Sequence, residues 1–314
     1  MAKAKTAGRL QLKKDLPLLF LCLPGVIYLI INNYMPMFGL FIAFKDINYA
    51  KGIFGSDWAG LKNFEFLFAT NDAFIMIRNT ILYNIAFIVI GTVLSVFVAI
   101  LFSEMGANIF AKIYQAGMVF PNLVSMVIVA YIAYAFLNSS SGFINMTILK
   151  AFGIDPVSWY SKPNAWPVIL MVVYIWKNVG YSSIIYISNI AGIDKGIYEA
   201  AKIDGAGKFR QIVNITLPML KPTIVIMTLM AVGRIFNSDF GLFYQVPMNS
   251  GTLYSTTQTI DTYVYRALME RNDIGMSAAA GFLQSIVGFV LVVGANLLVR
   301  HVVPGNALSY ATGV

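Results

Sequence analysis

The chain has 314 residues, 58% hydrophobic and 11% charged, with mean hydropathy +0.73 and formal net charge +8. Soluble domains carry about 25% charged residues, so this composition excludes a large soluble globule, and the excess of Lys and Arg in an apolar chain marks a cytoplasmic face rather than a nucleic-acid surface. One cysteine, Cys22, excludes an internal disulfide and a cysteine-rich metal site, and one histidine, His301, argues against a His metal cluster or a Ser-His-Asp triad.

A bilayer-spanning helix needs about 20 mostly apolar residues. Residues 1–16 read as a basic cytoplasmic N-terminus, with Lys3, Lys5, Arg9, Lys13 and Lys14 ahead of an uncleaved first span, Pro17 to Phe38. Further spans are expected at Asn79 to Phe102, Met118 to Leu137, Ala165 to Ile187, Pro222 to Tyr244 and Met276 to Val299, six in all. They form one membrane domain, 17–303, with a cytoplasmic tail at 304–314. Turns are expected at 55–58 and 161–164. The loop at 45–78 balances four basic against four acidic side chains, as an outer loop should.

Between the fourth and fifth spans, residues 194–218 are charged and end near two prolines. A short helix is expected from Asp194 to Ile203, with Ile197, Ala200 and Ala201 as its small apolar face. The Gly205-Ala206-Gly207 run then lets the chain change direction, because glycine tolerates the left-handed conformation that ends helices. A second helix follows with Phe209, Ile212, Val213 and Thr216 on one side. Pro218 and Pro222 are expected to stop it and restart the chain as the fifth span. Four spans after the basic N-terminus, this segment lies on the same cytoplasmic side, and its Lys195, Lys202, Lys208, Arg210 and Lys221 agree with that side. It holds no phosphate loop: Lys202 stands where the first glycine is needed and Phe209 where Ser or Thr is needed.

Glu199-Ala200-Ala201, then Gly205, then Ile215-x-Leu217-Pro218, resembles the EAA loop of ABC importer permeases. Asn79-Thr80 resembles the opening of the shared permease core. Trp176 to Tyr181 and Asp261 to Arg266 resemble the subgroup that imports oligosaccharides and polysaccharide fragments. The resemblance implies an all-α integral membrane fold of type I importer architecture, with six spans and a cytoplasmic coupling helix, in a bacterial plasma membrane with both termini cytoplasmic. It implies ATPase coupling through Glu199, Ala200, Ala201, Asp204, Gly205, Ala206, Ile215, Leu217 and Pro218. It also implies partners: a second homologous permease, two ABC ATPases that bind ATP and Mg, and an extracellular lipid-anchored solute-binding protein. The chain itself is then neither an enzyme nor a cofactor binder.

Charged residues at mid-span cost at least about 2.5 kcal/mol, so they face partners or water. Lys177, Asn178, Tyr181, Arg234, Asn237, Asp239 and Phe240 are therefore candidates for a sugar path. Packing roles compete: Arg234 paired with Asp239, and Lys177 snorkelling. An outer helix is expected at about 256–270, capped by Thr256 or Thr257, as a gate or a plain lid. The rival functions are an ABC permease for a non-sugar solute and an ion-coupled secondary transporter. The second wants internal repeats and paired mid-depth acids, of which only Asp239 is a clear candidate. A membrane-embedded enzyme would want converging reactive groups, and Lys177, Arg234 and Asp239 make no such set.

Overall fold

The computed structural model describes residues 12–65, 71–106 and 108–302. They fall into two compact units, one from the chain up to Glu65 together with Asp273–Phe282, the other from residues 66–272 and 283 onward. Five helices are long and apolar enough to cross a membrane, or six if one bent pair counts as a single span.

In the first unit, α1 (Leu12–Leu29) runs through a π turn and two short helical stretches to Phe44. The apolar stretch Phe20–Phe44 overlaps the expected first span, Pro17 to Phe38, and runs past its C-terminal end. Pro17 and Pro24 sit inside α1, which membrane helices tolerate. A two-stranded hairpin follows, pairing β1 (Lys45–Asp46) with β2 (Asp57–Trp58). Asn63 pins its base by donating to the carbonyls of Ala43 (3.0 Å) and Lys45 (2.9 Å). Phe44 stacks on Trp58 and meets Phe64 and Phe282 edge-on or tilted.

In the second unit, α2 (Asn71–Met105) extends the second expected span at its N-terminus. It packs along α5 (Trp166–Ala191). The third expected span is not one straight helix. α3 (Ile109–Leu123) and α4 (Met126–Leu137) meet at an angle of 99°. Val124 and Ser125 are extended, and Ser125 caps α4. Against α5, Gly180 lies so close to Met118 that a Cβ there would overlap the Met118 carbonyl, so only glycine permits this approach.

α6 (Lys195–Ile203) follows α5 after a short break. The next helix overturns two expectations. α7 (Lys208–Val232) is continuous; neither Pro218 nor Pro222 stops it. A π turn at Ile212–Thr216 absorbs the register change, so Pro218 stands in the first turn of the α-helical part that begins at Leu217. The fifth span is therefore Lys208–Val232 rather than Pro222 to Tyr244, and residues 233–239 are non-helical turn and coil. Arg234 and Asp239 consequently lie on irregular backbone.

The outer helix α8 (Ile260–Arg271) is capped by Thr259, not by Thr256 or Thr257. Thr259 and Thr262 form a reciprocal capping box. α9 (Ile274–Val302), whose residues up to Phe282 belong to the first unit, covers the sixth expected span. Two apolar cores organise this unit. One gathers Tyr83, Phe87, Trp166, Leu170 and Phe243; the other gathers Val96, Ala99, Tyr186, Ile190 and Leu220. The N-terminal residues 1–11 and the tail from 303 lie outside the described residues.

Candidate functional site

The 194–218 segment is built as a bent pair of helices. Asp194 caps α6 by accepting from the Gly196 N–H at 2.9 Å. At the other end Gly205 has φ +79°, the left-handed conformation that glycine adopts at least cost. The Ala206 N–H donates to the Ala201 carbonyl (2.8 Å) and the Gly205 N–H to that of Lys202 (3.0 Å). Together these bonds close a Schellman cap. The sequence Asp204-Gly205-Ala206 is thus a helix terminator, and it sets the angle at which α7 leaves.

Side chains then fix this bend to the spans. The Tyr198 and Thr216 hydroxyls lie 2.9 Å apart in a hydrogen bond, and Gln211 donates to the Ala206 carbonyl at 2.7 Å. Lys208 pairs with Glu104 at the end of α2. Tyr198 and Leu217 pack against the core formed by Val96, Tyr186 and Leu220. One face of α6 is therefore tied down. The other is bare: Ile203 is 88% exposed, Ile197 42%, and Phe209 beyond the bend 80%. Glu199, Ala200, Asp204 and Pro218 are also exposed, while Ala201, Ala206, Ile215 and Leu217 are half-buried.

The expected path residues divide into two groups. Lys177 is buried, and its ammonium donates to the carbonyls of Pro121 (3.3 Å), Asn122 (3.1 Å) and Val124. At the break between α3 and α4 the Pro121 carbonyl also accepts from the Val124 N–H (3.3 Å), and Lys177 adds a donor for it and for the Asn122 and Val124 carbonyls. It neither snorkels nor stands free toward a path. Asn178 donates to the Tyr174 carbonyl at 3.1 Å, and Tyr181 is exposed. Asn178 also lines a cavity of about 130 Å³ with Thr92, Ser95 and Tyr174.

Arg234, Asn237, Asp239 and Phe240 come together on the irregular stretch after α7. The first three are exposed. No ion pair joins Arg234 to Asp239 among the described residues; Asp239 instead caps the Leu242 N–H at 3.1 Å. Phe240 stacks on Tyr244, and both rings meet Tyr265 of α8.

The residues that hold this stretch were not among those singled out for the path. Asn84 on α2 donates to the carbonyls of Ile235 (3.0 Å) and Asn237 (3.2 Å). Gln284 on α9 donates to Phe236 (2.7 Å) and to Asp261 (3.2 Å). Asp261 accepts from both the N–H (2.6 Å) and the hydroxyl (2.7 Å) of Ser238. Irregular backbone within a membrane protein needs such partners for each freed polar group. The available signal was an Asn and a Gln inside otherwise apolar spans.

Residues 91–305 match the family described as "Binding-protein-dependent transport system inner membrane component". The chain belongs to this family. The permease is 32% identical to Protein LplB of Bacillus subtilis (strain 168) over 95% of each chain. It is 33% identical to the polygalacturonan/rhamnogalacturonan transport system permease protein YteP of the same organism, over 90% of this chain and 87% of that one. Its fold is similar to a chain of the crystal structure of a bacterial ABC transporter involved in the import of the acidic polysaccharide alginate. The TM-score is 0.84 at 30% identity, covering 93% of this permease and 98% of that chain. A second structure, of the alginate transporter in complex with an alginate pentasaccharide-bound periplasmic protein, gives the same TM-score and identity.

Within the permease the motif from Asp261 to Arg266 acquires a physical account. Asp261 clamps Ser238, Thr262 completes the cap of α8, Tyr265 joins the aromatic group, and Arg266 lies 4.1 Å over the Tyr254 ring. Arg266 also donates to the Asn249 side chain at 3.2 Å, and its partial burial holds its pKa below the usual arginine value. Among the described residues no group of three or more His, Cys, Asp or Glu side chains is placed to hold a metal ion.

Proposed function

We propose that the permease forms half of the translocation path of an ATP-driven importer for oligosaccharides, and that fragments of acidic polysaccharides are its substrate class. The coupling segment carries this reading: α6 is tied to α7 on one face by the Tyr198–Thr216 bond and leaves Ile197, Ala200 and Ile203 uncovered on the other. A helix so built transmits a push from a soluble partner into the span that grows out of it. Separate ABC ATPases, binding ATP and Mg, supply that push through Glu199, Ala200, Ala201, Asp204, Gly205 and Ala206, with Ile215, Leu217 and Pro218 as the root of the lever. The termini and this segment lie in the cytoplasm.

A second, similar permease closes the path, and a lipid-anchored binding protein feeds it from outside. Arg234, Asn237 and Asp239 on the irregular stretch offer charge and hydrogen bonds, and Phe240 with Tyr244 offers the apolar faces that sugar C–H surfaces stack on. The similarity to alginate and polygalacturonan systems supports an acidic substrate, for which Arg234, without an ion-pair partner among the described residues, is the cation on this stretch.

Reconstitution in proteoliposomes tests the reading. Gly205→Val in the assembled complex is expected to leave ATP hydrolysis running while uptake of a labelled uronate oligosaccharide falls at least about tenfold, the equivalent of about 1.4 kcal/mol of lost coupling. Uptake at the wild-type rate, or uptake without any ATPase subunit, overturns it.

A further inference from the structure

We propose that the cleft enclosed by the lower ends of α2, α3 and α5 and by α6 is a binding site for a phosphate-bearing anion, supplied by the headgroup of an acidic phospholipid. The cleft has a volume of about 630 Å³. Lys112 of α3, Lys195 and Lys202 of α6 and Lys208 of α7 all line it, against one carboxylate, Glu104. Lys208 already bonds Glu104. Among the described residues Lys112, Lys195 and Lys202 have no ion-pair partner.

All four lysines are exposed, yet they converge on one concavity. Lys195, Tyr198 and Lys202 stand at i, i+3 and i+7, on the one face of α6 that the Tyr198–Thr216 bond turns toward the spans. The three therefore border a concavity rather than project from the opposite face, which carries Ile203. Ile187 and Ile190 of α5 supply an apolar wall, the other half of what a lipid needs. Basic pockets between spans on the cytoplasmic side are suited to anionic headgroups. The cleft also joins the end of one span, at Glu104, to the start of another, at Lys208, which is headgroup depth.

An anion held here would bridge Lys112 on α3 to Lys195 and Lys202 on the coupling helix. It would brace α6 against the spans and tighten the transfer of motion. The inference rests on the cytoplasmic placement proposed above.

The test uses the assembled importer in nanodiscs of phosphatidylcholine with or without phosphatidylglycerol. Native mass spectrometry counts retained phosphatidylglycerol, and uptake per ATP hydrolysed in matched proteoliposomes gives the coupling ratio. Each lysine near an anionic surface contributes about fivefold in affinity, so Lys112→Gln with Lys202→Gln is expected to weaken retention about 25-fold and to lower the coupling ratio. The control, Lys150→Gln with Lys162→Gln, removes the same charge elsewhere and is expected to change neither. If inorganic phosphate displaces the lipid and restores coupling in phosphatidylcholine alone, the site stands with soluble phosphate as its occupant. Equal lipid retention by wild type and by the Lys112/Lys202 variant overturns the proposal. Labelling Lys202→Cys in a Cys22→Ser background with a membrane-impermeant maleimide separates the two readings. Labelling from outside sinks the orientation, whereas labelling from inside with no lipid effect sinks only the site.

Discussion

The Lys177 ammonium donates to the Asn122 carbonyl at 3.1 Å, joining the middle of α5 to the last turn of α3. A lysine buried in a span is costly unless its charge is used. Here three carbonyls at the α3–α4 break use it at once. Neither the break nor the charge is stable in a membrane alone, and each removes the other's penalty.

Lys177→Met keeps the length of the side chain and removes every donor. Leaving buried carbonyls unpaired costs about 1–3 kcal/mol per group. The purified complex is expected to lose thermal stability measurably, with Lys177→Arg restoring part of it. A Met variant of unchanged melting temperature whose substrate preference alone shifts would reassign Lys177 to the path.

Gly180→Ala places a methyl group onto the Met118 carbonyl, where the backbone cannot yield cheaply. Overpacking of this kind costs about 1–3 kcal/mol, so reduced yield of assembled complex and a lower melting temperature are expected. Gly117→Ala, with nothing within 4 Å of the new methyl, is the matched control on α3. It is expected to be neutral or slightly stabilising, since alanine favours a helix by about 1 kcal/mol over glycine.

Ile203→Asp alters a side chain that is 88% exposed in this chain. Surface changes of this sort stay within about 0.5 kcal/mol of folding stability. If the bare face of α6 seats in an ATPase, the same change removes an apolar anchor at about 2 kcal/mol, roughly thirtyfold in affinity. Copurification of the ATPase subunits with the variant permease measures this directly, and undiminished copurification would move the docking face elsewhere.

Hydropathy made the apolar segments legible because it integrates over a whole span, and the Asp194 and Gly205 ends of α6 were legible because caps and left-handed glycines act locally. The same averaging hid the break at Val124 and Ser125, whose neighbours are as apolar as any continuous helix. It also carried the fifth span too far, past Gly233 into turns that Asn237 and Asp239 favour. Pro218 and Pro222 misled in the opposite sense: Pro218 falls in the first turn after a π turn had shifted the hydrogen-bond register, and Pro222 sits inside the α-helix, which membrane helices tolerate. Lys177 was recognised as costly from sequence, yet its partners come from residues 53 to 56 positions away, which no local pattern encodes.

If the stretch from Gly233 to Phe240 lines the proposed path, Asn84 is its test. Its amide, half-buried on α2, serves both the Ile235 and Asn237 carbonyls. Asn84→Leu keeps the branched shape and removes the donor from both acceptors, at up to about 1–3 kcal/mol for the part-buried Ile235 carbonyl and less for the exposed one of Asn237. That energy favours local rearrangement of the stretch over global unfolding, because Gln284 and Asp261 still hold it at Phe236 and Ser238. Arg234, Asn237 and Asp239 would then lose their fixed directions while the helices around them stay packed. The expected outcome is a complex of near-normal melting temperature whose discrimination between acidic and neutral oligosaccharides falls, read as the ratio of their uptake rates in competition. A variant that transports both at wild-type ratios would show that the stretch is a structural joint and that selection happens elsewhere, while loss of both rates together with assembly would show that Asn84 holds up the fold rather than the path.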